Sequence, residues 1–147
     1  FVKKVLPSLK KNLPDIKLEI IGEINSLDKF ILSFNKNVKC WGKQKNIDKF
    51  VKNSICGIAN LGIATGMQGK ILSYMSYGLP AICSKKVSHN FNKNVLTYTD
   101  EDDLGIKIIK LKNDKNLSNQ ISKKSMRFVN KFLWQKTQKE YLKIIKN

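Results

Sequence analysis

The chain has 147 residues, 28 Lys plus Arg against 11 Asp plus Glu, a formal net charge of +17 and 41% apolar content. That is one domain's worth of chain with enough apolar residues for its own core, which excludes disordered, collagen-like and disulfide-stapled classes. Cys40, Cys56 and Cys83 sit in apolar runs without C-x-x-C spacing, so they predict neither a zinc site nor a disulfide framework and fit a reducing compartment.

Val2, Val5, Leu6, Leu9 and Leu13 fall at helical spacing, and Pro14 stops that helix before an extended run from Lys17 to Gly22. Leu27, Phe30, Ile31 and Phe34 form the next helical stripe, followed by a strand over 38–42 and a small helix around Ile47, Phe50 and Val51. Residues 55–59 read as a buried strand, Leu61 to Gly69 as a glycine-containing loop, and Lys70 to Tyr77 as a helix closed by Gly78 and Pro80. Short strands over 81–84 and 95–98 come next. After Asp100 the pattern is purely helical, with Leu104, Ile108 and Leu111, then Leu117, Ile121, Phe128 and Phe132, then Trp134, Tyr141 and Ile145. Strands alternating with helices predict a parallel, doubly wound sheet, whose ligands bind outside the carboxyl ends of the strands.

The most informative stretch runs from Thr65 to Pro80, a loop entering a helix directly after a buried strand. Gly66 and Gly69 let backbone approach a ligand closely, the helix start offers unpaired N–H groups and partial positive charge, and Lys70 adds a full charge. These features suit an anion; they equally suit a β–α loop that needs glycine for its turn. No Asp or Glu occurs from Lys49 to Thr99, where even placement predicts about four. The same stretch therefore offers no carboxylate pair for acid–base work and no aspartate cluster for a metal. His89, the one histidine, lies in the polar loop Val87 to Asn90 and is either an exposed loop residue or the partner of a nucleophile at Cys83 or Ser84. Trp41 and Gly42 end a strand, so Lys43 and Gln44 stand where they can line a ligand crevice, although Trp41 also reads as core. Phe128, Phe132, Trp134 and Tyr141 read as packing residues.

The positive charge is scattered along the chain, Arg127 is the sole arginine, and Lys, Asn and Ile are all abundant. Two readings stay open: A/T-rich coding with solvated helix faces, or a functional basic surface toward nucleic acid or an anionic membrane. The shortage of arginine, the side chain preferred for bidentate phosphate and base contacts, argues against nucleic acid. No apolar run reaches the roughly 20 residues that span a bilayer, and the first residues lack a signal-peptide layout, so the expected location is cytoplasmic, with peripheral contact at the inner face of a membrane as an option.

In order and spacing the chain resembles the C-terminal, donor-binding half of nucleotide-sugar glycosyltransferases of the GT-B fold, in the large retaining family 4. Phe1 to Lys11 and Pro14 to Gly22 look like that family's helix and second strand. Thr65-Gly-Met-Gln-Gly-Lys-Ile-Leu72 and Met75 to Ala81 match its loop and helix over the donor diphosphate, and Phe132-Leu-Trp134 resembles its closing-helix signature. Two family glutamates frame this loop, and their places are taken here by Thr65 and Ser73; the second is the one that holds the donor ribose, so Ser73 is a departure from the pattern. The family's first strand, expected before Phe1, and its acceptor domain with the catalytic histidine lie outside the sequence.

The resemblance implies an α/β fold with a Rossmann-like doubly wound parallel sheet, the first strand missing, over residues 1–147 as a single nucleotide-sugar-binding domain of a two-domain enzyme. It implies a hexosyltransferase-type glycosyltransferase of polysaccharide or glycolipid synthesis, inactive as this piece alone. A nucleotide-diphosphate sugar, such as a UDP-sugar, is the expected partner, with Gly42, Lys43, Gln44, Thr65, Gly66, Met67, Gln68, Gly69, Lys70 and Ser73 as donor-binding residues. No cofactor or obligatory metal is expected. The alternative is a non-catalytic basic module for nucleic acid or anionic membrane.

Overall fold

The computed structural model describes residues 1–60 and 66–132. Helix α1 (Val5–Asn12) runs to the turn at Leu13 and Pro14 and leads into strand β1 (Leu18–Ile21). Helix α2 (Ser26–Ser33) starts where the Asn25 side chain accepts the Asp28 N–H at 2.8 Å, an N-cap that satisfies one orphan donor. Strand β2 (Val38–Gly42), helix α3 (Asp48–Lys52), strand β3 (Gly57–Ala59), helix α4 (Gly69–Ser76) and strand β4 (Ala81–Ser84) follow. Helix α4 ends in a Schellman motif: Gly78, at φ 68°, donates to the Met75 carbonyl and Leu79 to the Tyr74 carbonyl, a left-handed turn that glycine makes without strain. Helix α5 (Lys85–Ser88), strand β5 (Leu96–Tyr98), helix α6 (Glu101–Asn113) and helix α7 (Lys115–Val129) complete the described elements apart from two short 3-10 turns. Asp100 and Asp114 cap α6 and α7 through the N–H groups of Asp103 and Leu117.

All five expected strands form, shortened by one or two residues at β1, β3 and β5, and every pairing is parallel. They make two sheets. Strand β1 pairs with β2, with Leu18 beside Val38, and β3-β4-β5 make the other, with Ile58 beside Ile82 and Ile82 beside Leu96. A doubly wound order of 3-2-1-4-5-6 leaves this split when no described strand takes position 1.

Strand β4 is the centre of the larger sheet, and Ala81, Ile82 and Cys83 are wholly buried, as a parallel strand covered on both faces requires. Successive side chains alternate faces. Ile82 joins Val5 and Leu9 of α1, Tyr98, and Leu104, Ile108 and Leu111 of α6 in one core. Ala81 and Cys83 join Ile71 and Met75 of α4, Val87, Phe91 and Val95 in the other.

The stripe on α2 does not behave as core. No α2 residue is buried, and Leu27 and Phe34 are 77% and 76% exposed, with Phe30 and Ile31 close behind. The periodicity is real, but the apolar face has no described element over it. Trp134 and Tyr141 lie outside the described residues; Phe128 does pack, its ring centroid 6.2 Å from that of Phe91 and 5.1 Å from that of Phe132.

Candidate functional site

The carboxyl ends of the parallel strands carry the candidate residues. Strand β2 ends at Gly42, whose φ of 67° turns the chain out of the sheet while its carbonyl accepts the Gly22 N–H at 2.9 Å. Beyond it, a cavity of about 840 Å3 opens between the β2 end and α3, lined by Lys43, Gln44, Lys45, Lys49 and Lys52 with Asp48 as the one acid. Gln44 is fixed by donating from Nε2 to the Trp41 carbonyl at 2.9 Å. The Trp41 ring packs edge-on against buried Phe50 and lies under the ammonium groups of Lys39, 3.8 Å from the ring centroid, and Lys49, at 5.4 Å. Trp41 is half-buried, packing on the core through Phe50 while its ring face meets these two ammonium groups. The sequence pointed to Lys43 and Gln44 but not to Lys45, Lys49 and Lys52; the signal was the basic run that continues to the end of α3.

The second part of the site follows β3. Thr65 lies outside the described residues. Gly66 is exposed at φ 67°, Met67 is exposed beside it, and Gln68 is the N-cap of α4. The Gln68 carbonyl accepts from Ile71 and Leu72, so helical bonding begins there and the N–H groups of Gly69 and Lys70 have no intrahelical acceptor. No acid stands in the first turn of α4 to compete for that end. The partial positive charge of the helix start and the exposed Lys70 therefore act at one spot, on a helix held down by Ile71 and Met75. Ser73, one turn on, is half-buried. One further residue reaches this loop from far along the chain: Asn90 Nδ2 donates to the Gly66 carbonyl at 2.8 Å.

A family model described as Glycosyl transferases group 1 matches residues 1–114, a span that includes both parts of the site. The chain belongs to the glycosyl transferases group 1 family. Among solved structures it is similar to the crystal structure of TarM, with a TM-score of 0.75 at 19% sequence identity, over 97% of this chain and 31% of that one. The likeness establishes the Rossmann-like fold, and the chain spans about a third of that protein's length. No curated protein matches the sequence.

For this glycosyl transferases group 1 chain, the structure brings Gly66 to Lys70 together in one loop and helix start, and Lys43 and Gln44 together in the basic cavity. It does not support a nucleophile at Cys83: the thiol is wholly buried and burial pushes it up to about 11, whereas reactive cysteines are exposed and shifted down. His89 turns to its own backbone, with Nδ1 3.1 Å from the Lys86 carbonyl oxygen. Among the described residues no group of His, Cys, Asp and Glu could hold a metal ion, and no described helix is long and apolar enough to cross a membrane.

Proposed function

We propose that this chain is the donor-binding domain of a glycosyltransferase that moves a sugar from a nucleotide diphosphate to a glycan or lipid-linked acceptor. The observation that carries the reading is the helix start at Gly69 and Lys70, fed by the glycine loop at the carboxyl end of the sheet, in a stretch of chain without a carboxylate. When the sugar leaves, negative charge grows on the departing diphosphate. Fixed N–H groups at 67–70 and the Lys70 ammonium stabilise that charge where it develops, which lowers the barrier without an obligatory metal. The cavity past Gly42, with its lysines and Gln44, takes the nucleoside end. The acceptor and the remaining catalytic groups belong to a partner domain in a longer protein.

Calorimetric titration of the chain with a panel of nucleoside diphosphates, in the presence of a chelator, tests this. One diphosphate is expected to bind clearly better than its competitors. Binding of all anions alike, falling by orders of magnitude between low and moderate salt, overturns the reading in favour of a diffuse basic surface.

A further inference from the structure

Asn90 and Gly66 are separated by 24 positions in sequence and joined by a hydrogen bond of 2.8 Å from the Asn90 amide to the Gly66 carbonyl. We propose that Asn90 is a positioning residue for the donor loop, holding the Gly66 carbonyl so that the Met67 N–H is aimed at the diphosphate. The inference rests on the donor-binding reading above.

Gly66 has no side chain with which to anchor its own backbone. A Cβ built on it meets no atom within 4 Å, so crowding does not select its φ of 67°, and glycine is the residue with the most freedom to leave that conformation. The bond from Asn90 supplies a restraint. The backbone carrying Asn90 is itself rigid: Val87 and Phe91 on either side are wholly buried in the same core as Ile71 and Met75 of α4, and the Phe91 N–H closes a turn onto the Ser88 carbonyl at 2.9 Å. The short span from Gly66 to Gly69 is thereby held at one end by α4 and at the other by a side chain mounted on α4's own core.

The direction follows from peptide geometry. No peptide bond here is cis, and in a trans peptide the carbonyl and the next N–H point opposite ways. A Gly66 carbonyl drawn to Asn90 sends the Met67 N–H away from it. Donors that are fixed before the ligand arrives bind it without the cost of ordering the loop. Asparagine suits the role chemically, because a neutral amide can donate to a carbonyl while leaving the surroundings free of negative charge.

Asn90→Ala and Asn90→Asp test the proposal on the full 147-residue chain. Affinity is measured for the tightest-binding nucleoside diphosphate and for its nucleoside without phosphate, together with backbone amide order parameters from nuclear magnetic resonance relaxation. Asn90→Ala is expected to weaken the diphosphate about fivefold, the scale of one neutral hydrogen bond, and to leave the nucleoside unchanged. Asn90→Asp, with no amide hydrogen and a negative charge, is expected to weaken the diphosphate more. In both variants the Met67 amide order parameter should fall while those of Tyr74 and Met75 within α4 stay high, a split that general destabilisation does not produce. Wild-type diphosphate affinity in both variants overturns the role of Asn90 and leaves the donor-binding reading intact. A wild-type chain that binds no nucleoside diphosphate overturns the donor-binding reading, and with it any aim at a ligand, even if the mobility of Met67 still responds to Asn90.

Discussion

The Tyr74 ring of α4 lies flat against the Cα of Gly57 in β3, so close that a Cβ on Gly57 would overlap ring carbons. The Tyr74 hydroxyl then reaches the Ile58 carbonyl at 3.4 Å. Glycine is required here for space, since the helix carrying the proposed diphosphate loop could not otherwise approach the sheet. Gly57→Ala should cost about 1–3 kcal/mol, the usual penalty for inserting a methyl into a filled site. Urea unfolding reads it, and combining the change with Tyr74→Ala should recover part of the loss because the two residues are in contact.

Lys70 is the one full charge in the first turn of α4. If its ammonium meets phosphate, Lys70→Ala should weaken nucleoside diphosphate binding by about 1–3 kcal/mol, the range of a charged hydrogen bond. Lys112→Ala, near the end of α6, should leave the affinity unchanged. Equal effects of the two substitutions in calorimetry would show that only the overall charge matters.

Ser73 stands where the resembling family holds the ribose with a glutamate, and a hydroxyl accepts more weakly than a carboxylate. Ser73→Glu should tighten nucleotide binding by about 1–2 kcal/mol, and Ser73→Ala should change it little. The opposite pattern, with alanine abolishing binding and glutamate giving no gain, would assign Ser73 a different task.

The start of α6 gathers three depressed carboxyls. The hydrogen bond from Lys107 chiefly holds Asp103 below its ordinary value, the Asp103 N–H does the same for Asp100, and Lys4 for Glu101. Because each is a better acid folded than unfolded, its stabilisation is complete above the ordinary carboxylate range of about pH 4 and is lost as the pH falls through and below it. Urea midpoints at neutral pH and at pH of about 3 should therefore differ more for the wild type than for Asp103→Asn.

Helix α2 and the second core make opposite forecasts for the same residue type. Phe30, 63% exposed, should tolerate replacement by Gln within about 0.5 kcal/mol. Phe91, wholly buried among Ile71, Met75 and Val87, should cost about 3–5 kcal/mol when cut to Ala. Thermal melts of the two variants side by side check the contrast.

That contrast also marks what the sequence can disclose. Strand β4 is legible because a parallel strand buried on both faces must be an apolar run, as at 81–83. Strands β1 and β2 show instead as short apolar stretches interrupted by exposed Glu19 and Lys39. The loop from Gly66 to Lys70 is legible because glycine, helix start and charge are neighbours along the chain. The stripe on α2 correctly marks a helix and says no more: periodicity reports that a helix has an apolar face, not that something covers it. Asn90 and the fit of Tyr74 to Gly57 were invisible, since each joins residues more than fifteen positions apart and involves residue types with ordinary local explanations.

The division of the strands into two sheets has a colloidal consequence. An unpaired strand edge presents a row of N–H and C=O groups ready to bond to any other chain, and here the edges of β1 and β3 away from their partners have no described strand beside them. What keeps such molecules apart in dilute buffer is mutual repulsion, and a net charge of +17 supplies it generously. Salt shortens the reach of that repulsion to about 8 Å at physiological ionic strength and about 3 Å at 1 M, so concentrated salt weakens this barrier between copies of the chain.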